Sequence, residues 1–146
     1  MSEELLRLIH LAATAFMTGL IWFVQVVHYP LFKSVGPEGF TEYERRHARR
    51  TTFVVGPAML LEAACAGLLL LHAMTHEELD AFLPALGAGL LAVIWFSTAF
   101  VQVPCHRTLE RGLDAAAAGR LVRTNWARTA AWSVRLVVAV AIVLET

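Results

Sequence analysis

The sequence predicts an all-α integral membrane protein, a four-helix bundle in a single domain spanning residues 1–146. Three observations lead there. Hydrophobic residues make up 58% of the chain and charged residues 16%, against about 45–50% and 25% in soluble domains. Mean hydropathy is +0.60. Four stretches approach the ~20 mostly apolar residues that a membrane-spanning helix needs. An ordinary soluble enzyme and a disordered chain are excluded by this composition. The net charge of zero supplies no field to recruit nucleic acid, which is therefore not an expected partner. Two cysteines cannot build a disulfide scaffold or a four-thiolate zinc site.

The first span runs over about 5–31. It lacks a strongly basic start and a clear small-residue cleavage site, so it reads as a retained helix and not a signal peptide. The second runs over about 52–73. Ahead of it, Thr41 stands three residues before Glu44, the spacing of a capping box, so a helix is expected to start at Thr41 and run into the span. Pro57, beside Gly56, is expected to bend it. The third span covers about 82–103 and the fourth about 126–144. Between them Ala115–Ala118 and then Gly119 read as a short helix with a stop. Gly19, Gly67, Gly87 and Gly89 are expected to permit close helix contact.

Orientation follows from the cations. The connection after span one holds Lys33, Arg45, Arg46, Arg49 and Arg50, and that after span three holds Arg107, Arg111, Arg120 and Arg123. The middle connection holds none and carries Glu77, Glu78 and Asp80. The positive-inside rule places the basic connections in the cytoplasm and both termini outside, in a bacterial inner membrane. A faint repeat joins Trp22-Phe23 with Gln25 and His28 to Trp95-Phe96 with Gln102 and His106. It suggests two similar hairpins.

Ionisable groups in apolar spans usually turn inward. Steps of three and four residues put His10, Thr14, Met17, Ile21, Gln25 and His28 on one face of span one. Trp95, Thr98, Gln102 and His106 form a stripe on span three, and Asn125, Arg128, Trp132 and Arg135 one on span four. Three inward stripes would line one polar cavity. The plainer alternative is hydrogen bonding between helices. Glu62 and Arg135 each lie about ten residues into their spans, so a buried ion pair is expected. Its role is that of a staple, a proton carrier or a substrate anchor, with Glu62 and Arg135 the candidate catalytic charges.

His28, His47, His106, Glu44 and Glu110 gather at the basic end. Imidazole and carboxylate suit a transition metal. The single Glu44-x-x-His47 spacing argues against a closed di-iron site, which uses two such motifs. A mononuclear metal held by His28, His47 and His106 remains, or a haem b ligated by histidines of equal depth. His28 would pair with His106 at the inner side and His10 with His72 at the outer. No CxxCH motif exists, so any haem would be non-covalent. Gln25, Gln102 and Asn125, with Arg128, would orient ligands or substrate. Cys65 and Cys105 read as packing residues.

The segments FMTGLIWFVQVVHYPLF, EYERRHARRTTFVVGPAMLLE and LVRTNWARTAAWSVR, together with the spans around them, resemble a group of small four-helix bacterial membrane proteins of uncharacterised activity. Asn125, Trp126, Arg128 and Thr129 are similar to the C-terminal helix of anthrone-oxygenase-like membrane proteins, which implies oxidation of an aromatic substrate. The start LLRLIHLAATAFMTGLIWF is similar to the first helix of the membrane-bound, haem-binding protoporphyrinogen oxidase family, where the residue matching His10 ligates haem. That family's intramembrane lysine has no counterpart, since Lys33 is the only lysine and lies in a connection. The expected function is a membrane oxidoreductase or redox carrier acting on a lipophilic small molecule. The alternative is a binding or transport module for a lipid, quinone or small solute. The lipid bilayer is the expected surrounding partner, and the sequence leaves a homo-oligomer open.

Overall fold

The computed structural model describes residues 2–76 and 80–145. Glu77 and Glu78 of the middle connection, and the Lys33 side chain, lie outside the described residues. The described chain is a bundle of four long helical rods: α1 (Glu3–Phe23), α2 (Pro37–Thr75), α3 (Phe82–Ser97) continued by α4 (Val103–Leu109), and α5 (Ala115–Leu144). α5 packs against α1 and α3, and α2 packs against the same two helices from the other side. All four rods are long and apolar enough to cross a membrane.

Local chemistry sets most boundaries. The Ser2 hydroxyl accepts the Leu5 N–H and caps α1, with Glu3 and Glu4 at its positive end. Asp114 caps α5 by accepting the Ala117 N–H at 2.8 Å. α2 begins at Pro37, whose missing N–H costs nothing at a first helical position. It does not begin at Thr41, and the predicted capping box is not formed, because the Glu44 carboxylate turns inward to another partner. α2 is continuous through Pro57 over 39 residues, about 58 Å at 1.5 Å per residue. The bilayer core is ~30 Å thick, so the arginine-rich first half of α2 extends beyond it. Gly119 does not stop a helix: α5 runs unbroken from Ala115. A helical glycine costs about 1 kcal/mol, less than the capped, packed helix around it supplies.

Spans one and three are not regular. Each contains one π-helical turn, Val24–His28 and Thr98–Gln102. Tyr29 N–H bonds the carbonyl of Val24, and Val103 N–H that of Thr98. Pro30 and Pro104 follow directly. A proline cannot donate to the carbonyl four residues back, and its ring collides with it. Those carbonyls belong to Val26 and Phe100, inside the two widened turns. The prolines sit at the same offset from both turns, so the repeat is real in backbone form. Its side-chain register differs from the expected one: aligned on the prolines, His28 matches Gln102 and Phe32 matches His106.

The interior is polar where the exterior is oily. Glu62, Asn125 and Thr14 are 0% exposed and Arg135 1%, while Phe53 is 83% exposed and Phe100 and Val137 are 69%. In water this distribution would be costly; in lipid it removes the polar groups from hydrocarbon. Apolar packing completes the interior. Met17, Ile21, Met59, Ile94 and Trp132 form the central cluster, and Tyr29, Phe32, Phe40, Leu109 and Leu121 form one at the arginine-rich end. Of the four glycines expected at close contacts, only Gly87 is confined: a Cβ there would meet Val138 at 3.5 Å and Arg135 at 3.7 Å. Gly19, Gly67 and Gly89 face open space.

Candidate functional site

Among the described residues, polar clusters lie at several depths of the bundle, with a cavity beside the one at the arginine-rich end. The first joins α1, α2, α3 and α5. Glu62 Oε1 accepts from Arg135 Nε at 3.1 Å, from Arg135 Nη2 at 2.8 Å and from the Thr14 hydroxyl at 2.8 Å. Arg135 Nη1 donates to the carbonyl of Gly87. Nη2 also lies 3.3 Å from His10 Nε2, which as a neutral imidazole nitrogen accepts from it. The guanidinium stands 5.8 Å from the Trp132 ring centre. The expected buried pair is therefore present, and both its members are fully enclosed. His10 faces Arg135, whereas His72 bonds Glu3 at 2.9 Å. In this structure the two histidines are therefore occupied by different charged groups.

The second cluster lies at the arginine-rich end. His106 Nδ1 donates to Glu44 Oε1. Its Nε2 lies 3.3 Å from the Tyr29 hydroxyl. With the proton on Nδ1, Nε2 of a neutral ring accepts from the tyrosine O–H, giving a relay Tyr29–His106–Glu44. Glu44 is 0% exposed, and its Oε2 has no partner. His47 stands between the other two histidines, with ring centres 4.2 Å from His28 and 5.6 Å from His106. His47 Nδ1 meets the Thr51 hydroxyl at 3.1 Å. His28 Nε2 is buried without a hydrogen-bond partner.

The metal expectation meets this geometry poorly. His106 has both ring nitrogens engaged, and a ligand needs one free lone pair. Among the described residues no group of three or more His, Cys, Asp or Glu side chains is arranged to hold a metal ion.

The polar amides do not serve the histidines either. Gln25 Oε1 accepts from Asn125 Nδ2 at 2.8 Å, and Gln25 Nε2 donates to the Val122 carbonyl at 3.3 Å. Asn125 Oδ1 in turn accepts from Arg128 Nη1 at 3.0 Å. Gln102 Nε2 donates to Ser97 at 3.2 Å. The chain Gln25–Asn125–Arg128 thus fixes an arginine.

A cavity of about 500 Å³ opens between α2 and the α3–α4 rod. Met17, Ile21, Val55 and Met59 contribute to its apolar wall. Its polar groups come from Tyr29, His47, Thr98, Gln102, His106 and Arg128, with Thr51, Thr52, Arg107 and Glu110 also on its lining. Leu60 and Trp95 on the lining are themselves exposed. Binding pockets for small molecules run ~300–1,000 Å³ and are mainly apolar with a few placed polar groups.

Tyr29 is the residue the sequence did not single out. One signal was available: it immediately precedes a proline at the end of a polar stripe, where the helix must rewind. Comparison with family models, curated proteins and solved structures finds no match to this chain.

Proposed function

We propose that the protein is a membrane-embedded binding module that admits a lipophilic small molecule from the bilayer into the cavity between α2 and the α3–α4 rod. The observation that carries this reading is the cavity itself. It is apolar along Met17, Ile21, Val55 and Met59, polar at Tyr29, His106 and Arg128, and bordered by exposed Leu60 and Trp95. A molecule with an oily body and one polar end fits that division. The membrane is a bacterial inner membrane, with both termini outside, on the strength of the Lys/Arg asymmetry. The test blocks the cavity. A Cβ at Gly56 meets nothing within 4 Å, and Gly56 lines the cavity. Gly56→Phe should fill the space, and Gly56→Ala, which carries the same strain ahead of Pro57 without the bulk, should leave it open. Protein in nanodiscs should show saturable quenching of tryptophan fluorescence by a brominated lipophile, and Gly56→Phe should lose it. Equal quenching in both proteins would overturn the reading.

A second reading, an oxidoreductase with a histidine-held metal or haem b, has one observation in its favour: the buried, unpartnered Nε2 of His28. An absorption spectrum and metal analysis of the purified protein test it. A Soret band or stoichiometric metal, lost in His28→Ala and His106→Ala and kept in His76→Ala, is the required result.

A further inference from the structure

Arg128 is the buried charge that the bundle leaves uncompensated. It is 7% exposed, whereas Arg120 and Arg123, earlier on α5, are exposed. Its Nη1 donates to the neutral Asn125, and Nε is buried with no partner. Among the described residues no carboxylate pairs with it. The contrast with Arg135 is direct, since that buried guanidinium has Glu62. Two carboxylates at this end of the bundle do not answer it. Glu110 sits at the partly exposed rim together with Arg107, and Glu44 is committed to His106. Burying an unpaired ion is unfavourable, so the position calls for an anion from outside the chain.

The free nitrogen of the guanidinium defines the head group. With Nη1 held by Asn125, Asn125 held by Gln25 and Nε enclosed, Nη2 is the nitrogen left to meet it. It offers a charge-assisted N–H to one oxygen of a compact anion such as a carboxylate. A carboxylate is also ionised at neutral pH, where a phenol is not. We propose that the cavity takes a single-tailed lipophilic carboxylate, with Arg128 as counter-ion to its head and Met17, Ile21, Val55 and Met59 along its tail. Gln25 and Asn125 act as positioning residues for Arg128. This inference rests on the cavity being a binding site for a lipophile.

The experiment compares dodecanoate with dodecanol, which has the same tail and a neutral head. Both are titrated into protein in zwitterionic nanodiscs at mildly alkaline pH, where the acid is ionised. Dodecanoate should bind at least tenfold more tightly, about 1.4 kcal/mol. Arg128→Met should remove that preference and leave dodecanol affinity within about twofold. Arg128→Lys should keep part of it. Arg128→Met should also raise the melting temperature of ligand-free protein, because it deletes an uncompensated buried charge. Equal binding of acid and alcohol, or a lower melting temperature in ligand-free Arg128→Met, overturns the carboxylate assignment while leaving the cavity reading intact. If neither compound binds wild type and Gly56→Phe changes nothing, both fall.

Discussion

Arg135 grips a single oxygen of Glu62 twice, through Nε at 3.1 Å and Nη2 at 2.8 Å. The same oxygen takes the Thr14 hydroxyl, so one carboxylate ties α1, α2 and α5 together while Gly87 ties in α3. Each member is the main reason the other tolerates the interior.

Removal of one partner leaves the other charge buried and unpaired, which costs about 3–5 kcal/mol. Glu62→Gln and Arg135→Leu should each lower the melting temperature in detergent. The double variant should recover part of the loss. Strictly additive losses in a double-mutant cycle would contradict the coupling seen in the structure.

The Tyr29–His106–Glu44 relay makes a second, smaller prediction. Tyr29→Phe removes one hydrogen bond and should cost about 1 kcal/mol. Once His106→Ala has removed the acceptor, Tyr29→Phe should cost less. Denaturant or thermal unfolding of the four proteins in one detergent measures the difference, and identical costs would mean that the hydroxyl does not use His106.

The two π turns are attributed to Pro30 and Pro104. Pro104→Ala restores an N–H able to reach the Phe100 carbonyl, so the turn should tighten to ordinary α geometry. Gln102 would then rotate by about 100° per residue gained and leave Ser97, its present partner at 3.2 Å. A structure of the variant, or a cysteine cross-link between positions 97 and 102, reads this out. An unchanged π turn would assign its cause to tertiary packing.

Topology is testable in intact cells. A cysteine at Asp80 should react with a membrane-impermeant thiol reagent, and one at Gly39 should not. Native Cys65 and Cys105 are both buried, so background labelling should be low. The reverse pattern would invert the orientation.

Composition and periodicity by themselves determined the class and the four rods of this protein. Steps of three and four residues suffice to place His10, Thr14, Met17, Ile21 and Gln25 on one buried face, and Asn125, Arg128, Trp132 and Arg135 on another. They do so because a helix fixes which side chains share a side before anything packs. Equal depth along two spans was likewise enough to pair Glu62 with Arg135. Element limits at Thr41 and Gly119 were misleading, because capping and stop signals are worth about 1 kcal/mol and long packed helices override them. Partner choice at the arginine-rich end was decided only by the tertiary structure. Pro30 and Pro104 follow π turns, so the regular count that places Gln25 and Gln102 inward does not carry through to Tyr29 and its partner His106. Glu44, apparently a capping residue, is drawn inward by His106. Arg128, one cation among several in the sequence, becomes the uncompensated one only when the bundle closes around it and supplies Asn125 where Arg135 receives Glu62.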